Sequence, residues 1–140
     1  MESTWFVVAD RAGAQVYEVA GSKMRPTLRP LESLTHSEVR EHDDSAGSSS
    51  SHQLMLDTSG ADAEKDRRFV RQVVDHLHQA RHRRAFSRLL IAAPADFVGH
   101  VRDMSKRSLS TAIHREIIGD YTHDTPRALT ERMRRKNWLD

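Results

Sequence analysis

Two sets of residues in this chain have types and spacings that could do chemistry, and they call for opposite partners. The first is cationic. Arg67, Arg71, His78 and His82 recur at intervals of four, seven and four, which a helix of 3.6 residues per turn gathers into one narrow stripe. Arg102, Lys106 and Arg107 make a second basic group further along. Either group could meet phosphates, which need positive charge and no special motif. Their ordinary role would be as solvated helix faces, with cations favoured near helix C-termini by the dipole. The second set is anionic: Asp10, Glu64, Asp96 and Asp124. Carboxylates brought together at strand ends could hold Mg²⁺ for in-line attack on a phosphodiester. Each also has a plain structural use. Asp10 starts a turn, Glu64 sits in a first helical turn, Asp96 suits an N-cap, and Asp124 precedes a capping threonine.

Other chemistries are poorly supported. His78 and His82 have the spacing of two zinc ligands. The stretch His78-Gln79-Ala80-Arg81-His82 lacks the glutamate that follows the first histidine in the zinc-protease motif, and Arg81, Arg83 and Arg84 would repel a cation. The six glycines are isolated, so there is no phosphate-cradling loop. No serine sits in Gly-x-Ser-x-Gly. Zero cysteines exclude disulfides and thiolate metal sites. No cofactor is therefore expected, and a binding module is expected over an enzyme.

Charge is distributed unevenly. With 22 Lys plus Arg against 20 Asp plus Glu, the net charge is only +2, so any basic surface must be local. Between Ala80 and Arg107 lie Arg81, Arg83, Arg84, Arg88, Arg102, Lys106 and Arg107, against Asp96 and Asp103. The tail adds Arg132, Arg134, Arg135 and Lys136, whereas Glu38, Glu41, Asp43 and Asp44 make an acidic patch beside Arg40. Base stacking has little to work with: Trp5, Phe6, Phe69, Phe86 and Phe97 fall in apolar patterns, and only Trp138, in the tail, is expected to be free.

The elements that must position these groups follow from the apolar pattern. Residues 4–9 and 14–20 are β-prone and flank Asp10-Arg11-Ala12-Gly13, which predicts a hairpin. Leu28, Leu31 and Leu34 mark a third strand, confined to an edge by Pro26 and Pro30. Residues 36–61 run polar around Ser48–Ser51 and are expected to be a flexible loop. From Ala61, the residues Phe69, Val70, Val73, Val74, Leu77 and Ala80 share one helical arc. Arg88–Ala93 reads as a strand covered on both faces. Pro94 ends it, and Asp96 is expected to cap a helix running to about Ser108, with Val98, Val101, Met104, Ser105 and Leu109 inward. Ile113–Tyr121 supplies the last strand, and Thr125-Pro126 opens a final helix with Leu129 and Met133 inward.

The order β-β-β-α-β-α-β-α is that of the ribonuclease-H-like fold. It predicts a single α/β domain over residues 1–140, with a mixed five-stranded sheet, helices on its faces, and the strand at Val7 parallel to that at Leu90. No apolar window is long enough for a membrane span, and the N-terminus lacks the pattern of a signal peptide. A cytoplasmic location without a membrane partner is expected.

Three phrases carry a family resemblance. They are Trp5-Phe-Val-Val-Ala-Asp10-Arg-Ala-Gly-Ala-Gln-Val-Tyr-Glu-Val19, Leu89-Leu-Ile-Ala-Ala-Pro94-Ala-Asp-Phe97-Val-Gly99-His-Val-Arg102, and Ile117-Ile-Gly-Asp120-Tyr-Thr122-His123. Together they resemble the bacterial host attachment protein family, itself similar to the middle domain of archaeal and eukaryotic peptide-chain release factors. The resemblance implies contact with RNA or the ribosome and an indirect role in attachment. Release factors carry Gly-Gly-Gln in the loop before the first helix. Here that loop reads Ser45-Ala46-Gly47-Ser48-Ser49-Ser50-Ser51-His52-Gln53, so termination activity does not carry over. A protein partner bound through the acidic, serine-rich loop is a further reading, and the oligomeric state is left open.

Overall fold

The computed structural model describes residues 3–36 and 59–140. Strands β1 (Thr4–Ala9), β2 (Gly13–Gly21) and β3 (Pro26–Thr35) precede helix α1 (Ser59–His82). Strand β4 (Arg88–Ala93), helix α2 (Ala95–Met104), the short helix α3 (Arg107–Ser110), strand β5 (Ile113–Ile118) and helix α4 (Pro126–Arg135) follow. The acidic patch Glu38–Asp44 and the run Ser48–Ser51 lie outside the described residues.

The sheet has the order β3-β2-β1-β4-β5. β1 is antiparallel to β2 and parallel to β4, and β4 is parallel to β5. This is the expected mixed α/β sheet, with Phe6 opposite Leu90 and Val7 opposite Ile91. Every residue of β1 is buried, as is all of β4 beyond Arg88, because central strands are covered on both faces. Proline-containing β3 lies at an edge, where a missing N–H costs no ladder bond.

Alternation along β1 divides the interior into two layers. Trp5, Val7 and Ala9 face α1 and α2, packing with Phe69, Val73, Leu77, Phe97 and Val101. Phe6 and Val8 face α4 and the tail, packing with Leu129, Met133, Trp138 and Leu139. Trp138 is therefore not free: it is only 4% exposed. Asn137 at φ 55° reverses the chain after α4, and the N–H of Trp138 donates to the carbonyl of Met133 at 3.0 Å. That helix-end motif lays the indole on Phe6 and against the edge of Tyr121, with ring centroids 5.9 and 5.5 Å away.

Two further expectations change. Asp96 is not the N-cap of α2. Pro94 holds that position in extended conformation, and Asp96, within the first turn, accepts the N–H of Phe97 at 2.9 Å. The helix also does not run on to Ser108. Ser105 and Lys106 adopt extended ψ angles of 129° and 164° and divide it into α2 and α3. The Ser105 hydroxyl donates to the Val101 carbonyl at 2.6 Å, competing locally with the helical ladder. Thr125 does cap α4, accepting the N–H of Ala128 at 3.1 Å.

Candidate functional site

The break after α2 brings together what the sequence presents as separate groups. Freed from the helical ladder, the backbone N–H of Lys106 donates to Nε2 of His78 at 3.0 Å. The α1 stripe and the Lys106–Arg107 pair therefore meet along one seam between α1 and α3. His78, Gln79, His82, Arg83, Lys106 and Ser108 line a shallow trough there. Arg67, Arg71, His82, Arg83, Lys106 and Arg107 are all exposed, and among the described residues none of them forms an ion pair.

The pKa of His78 lies below its usual value. Burial lowers its pKa and the nearby Lys106 charge lowers it further, with Asp75 acting in the opposite sense. Accepting from the Lys106 N–H uses Nε2, so His78 and His82 cannot both present that nitrogen to one metal ion. His78 thus serves as a splint that fixes Lys106, while the exposed cations supply the charge.

Arg102 stands apart from this surface. Its guanidinium donates through Nε and Nη2 to the Glu116 carboxylate on β5, and that hydrogen bond and charge raise its pKa. Of the seven cationic candidates, Arg102 is the one neutralised by an ion-pair partner among the described residues.

The residues Arg81, Arg83 and Arg84 acquire distinct roles. Arg81 donates to the carbonyls of Ser108 and Phe86, both at 3.1 Å, tying the end of α1 to α3. Arg84 lies at φ 63°. Its N–H donates to the Arg81 carbonyl and that of Ala85 to the Ala80 carbonyl, at 3.0 and 2.9 Å. This is the paired bonding of a Schellman cap, in which the left-handed position normally holds glycine or asparagine. α4 ends in the same motif with Asn137 in that place. An exposed arginine is thus kept in a costly conformation at the end of α1. The sequence shows the basic run but not this geometry.

Of the anionic candidates, Asp10 shares one cavity with Asp124 and another with Asp96, whereas Glu64 lines neither. Glu64 pairs with Arg68 at 3.7 Å along α1, and Asp124 accepts from Arg132 at 2.8 Å. Asp96 pairs with Arg11 at 3.6 Å, and Arg11 also reaches Asp66 at 3.7 Å. Asp66 in turn contacts buried His36 at 3.2 Å. Among the described residues, the one group with metal-ligand spacing is Asp10, Asp120 and His123, which contains only one of the four carboxylates singled out. Asp10 is also engaged. Its Oδ1 accepts the N–H groups of Ala12 and Gly13 at 2.7 and 3.0 Å, and its Oδ2 accepts the Thr122 hydroxyl at 2.7 Å. It shapes the hairpin turn and latches the end of β1 to the segment after β5.

Residues 5–133 match the family model described as "Protein required for attachment to host cells". The chain belongs to that host attachment family. No curated protein matches this family member. Among solved structures it is similar to the archaeal translation termination factor aRF1, at 10% identity and a TM-score of 0.45, over 98% of this chain and 38% of the other. A second archaeal protein is similar at 9% identity and a TM-score of 0.43, with the same 98% and 38% coverage. The host attachment chain thus spans about 38% of the length of either structure. No helix among its described residues is long and apolar enough to cross a membrane.

Proposed function

We propose that this host attachment protein is a non-catalytic, RNA- or ribosome-associated binding module of the cytoplasm whose part in attachment is indirect. The observation that carries this reading is the junction of His78 with Lys106 at 3.0 Å, which joins the α1 stripe to Lys106 and Arg107 in one surface of exposed cations that form no ion pair among the described residues. Glu64, Asp66 and Glu116 are spent elsewhere, on Arg68, Arg11 and Arg102, and Asp75 is the carboxylate that acts on the stripe, at His78. Arg67, Arg71, Lys106 and Arg107 are left to face solvent, an arrangement suited to phosphates. Arg84, exposed just past the end of α1, adds a cation at a left-handed position where glycine would cost less.

Affinity capture of the tagged chain from native lysate, at low salt and with or without ribonuclease, tests the proposal. Ribosomal proteins and RNA should co-purify and should be lost on nuclease treatment or at high salt. Capture that brings down no RNA under low salt would overturn it. A metal-dependent nuclease is the rival, favoured only by the grouping of Asp10, Asp120 and His123. It requires Mg²⁺- or Mn²⁺-dependent cleavage of RNA or DNA that is lost in Asp10→Asn.

A further inference from the structure

We infer that the cavity between the β1–β2 strand ends and the segment leading into α4 is a binding site for a small organic cation, an ammonium or guanidinium group on a short carbon stem. It lies in the layer under α4, on the other side of the sheet from the α1–α3 seam, and it stands without the RNA reading. The cavity holds about 280 Å³, just under the roughly 300–1,000 Å³ of sites for drug-sized ligands. Its occupant is therefore small.

The lining calls for hydrogen-bond donors. Tyr17 borders the cavity although only 7% of it is exposed, and its hydroxyl forms no hydrogen bond among the described residues. That oxygen is not sealed in the core, where Trp5 Nε1 is the enclosed polar atom without a partner. Burial raises the Tyr17 pKa, so the hydroxyl keeps its proton and offers lone pairs to a donor. Gln15, also in the lining, donates from Nε2 to the carbonyls of Val16 and Glu32 at 3.2 and 2.8 Å. Both amide hydrogens are then used, and Oε1 remains an acceptor without a partner.

The lining also calls for positive charge. It contains Asp10 and Asp124 and no lysine or arginine. Arg132 compensates Asp124 from α4. Asp10 has no such relief, because the Ala12 and Gly13 N–H groups and the Thr122 hydroxyl are all neutral. Asp120 accepts the same hydroxyl at 3.1 Å, and a hydroxyl has only one hydrogen to give. Oxygens of the two carboxylates lie within 4.8 Å of each other, and among the described residues neither forms an ion pair. A bare divalent ion held by Asp10, Asp120 and His123 would use this corner alone. Tyr17, Gln15 and the apolar wall of Val8 and Leu129 would gain nothing from it. A cation with a carbon stem answers the whole lining: its N–H groups meet the carboxylates and free acceptors, and its stem covers the wall. The Tyr121 ring, in the same lining, already carries the Arg132 guanidinium 5.3 Å from its centroid.

Isothermal titration calorimetry of the full chain with agmatine, which carries a guanidinium and an ammonium on one carbon chain, tests the inference. N-acetylarginine methylamide is the second arm, because an arginine side chain of a partner presents the same chemistry. At least one should bind, and the tighter of the two names the source; uncharged 1-pentanol should not bind. Tyr17→Phe should weaken the cation by about two- to twelvefold, the loss of one hydrogen bond, and Asp120→Asn by at least as much. Both changes keep the shape of the side chain, and unaltered denaturation midpoints verify the fold. Binding of neither cation at millimolar concentration, pentanol bound as well as agmatine, or unchanged affinity in either variant overturns the inference. So does Mn²⁺ binding that Asp120→Asn abolishes in a chain that ignores both organic cations, which assigns the corner to a metal instead.

Discussion

The seam between α1 and α3 and the cluster at the ends of β1 and β5 are both rich in charge, yet they treat it in opposite ways. At the strand ends, Asp10 accepts from Ala12, Gly13 and Thr122, Asp124 from Arg132, and Asp96 pairs with Arg11. Each carboxylate there has a structural task. Along the seam, the hydrogen bonds engage backbone groups, His78 and Arg81, while Arg67, Arg71, Lys106 and Arg107 remain without ion pairs among the described residues. Charge consumed by neighbours shapes a fold; charge withheld from them is available to a partner.

The largest effect should come from removing the withheld charge. Combining Arg67→Glu, Arg71→Glu, Lys106→Glu and Arg107→Glu should lower RNA affinity by at least about a hundredfold at 0.1 M salt and flatten the salt slope. The denaturation midpoint should barely move, since exposed unpaired cations contribute little to stability. Unchanged binding would place the contact elsewhere.

Asp10→Ala should do the converse. It strands two backbone N–H groups and a hydroxyl, so a loss of about 1–3 kcal/mol in chemical denaturation is expected. RNA affinity should be unaltered. A binding defect in the folded variant would mean that the strand ends belong to the interface.

The splint at His78 gives a pH signature. Because its folded-state pKa lies below the usual value, the unfolded chain takes up a proton first as pH falls. The stability from neutral His78 is thus present above about pH 6.5 and is lost as pH drops from there towards the folded-state pKa. Between about pH 7.5 and 5.5 the denaturation midpoint should fall more for the wild type than for His78→Gln, whose amide oxygen can still accept the Lys106 N–H. Parallel curves would remove His78 from that role.

The smallest effect concerns Arg84. Arg84→Gly relieves a left-handed φ of 63° but adds freedom to the unfolded chain, for a net gain of about 0.5 kcal/mol in stability. RNA affinity should decline slightly. A variant that gained stability with no loss of binding would show that Arg84 contributes nothing to the surface.

How much of this was legible beforehand depends on the range of the interaction. Local signals gave the strands, the edge position of proline-containing β3, the Thr125 cap and the parallel pairing of β1 with β4. The α1 stripe was also readable, since helical periodicity is local. The meeting of His78 with Lys106 was not, because it depends on a helix break at Ser105 that the apolar spacing of Val98, Val101 and Leu109 hides. The burial of Trp138 is hidden for a similar reason: a single left-handed residue, Asn137, turns a polar tail back onto the sheet. The cap expected at Asp96 falls two residues earlier, on Pro94, within the ordinary uncertainty of helix boundaries. The Asp10–Thr122 link joins residues 112 positions apart, and no spacing rule reaches that far.

The placement of the two tryptophans, one in each layer, has an optical consequence. Trp5 lies between α1 and the sheet, with Phe86 4.9 Å and His76 6.5 Å from its ring, whereas Trp138 belongs wholly to the layer under α4. Each indole is therefore an intrinsic fluorophore for one side of the sheet, and Trp5→Phe or Trp138→Phe leaves a protein whose emission reports a single layer. Coincident melting of the two emissions would mark the sheet as one cooperative unit. Separated transitions would instead reveal a layer that loosens before the rest.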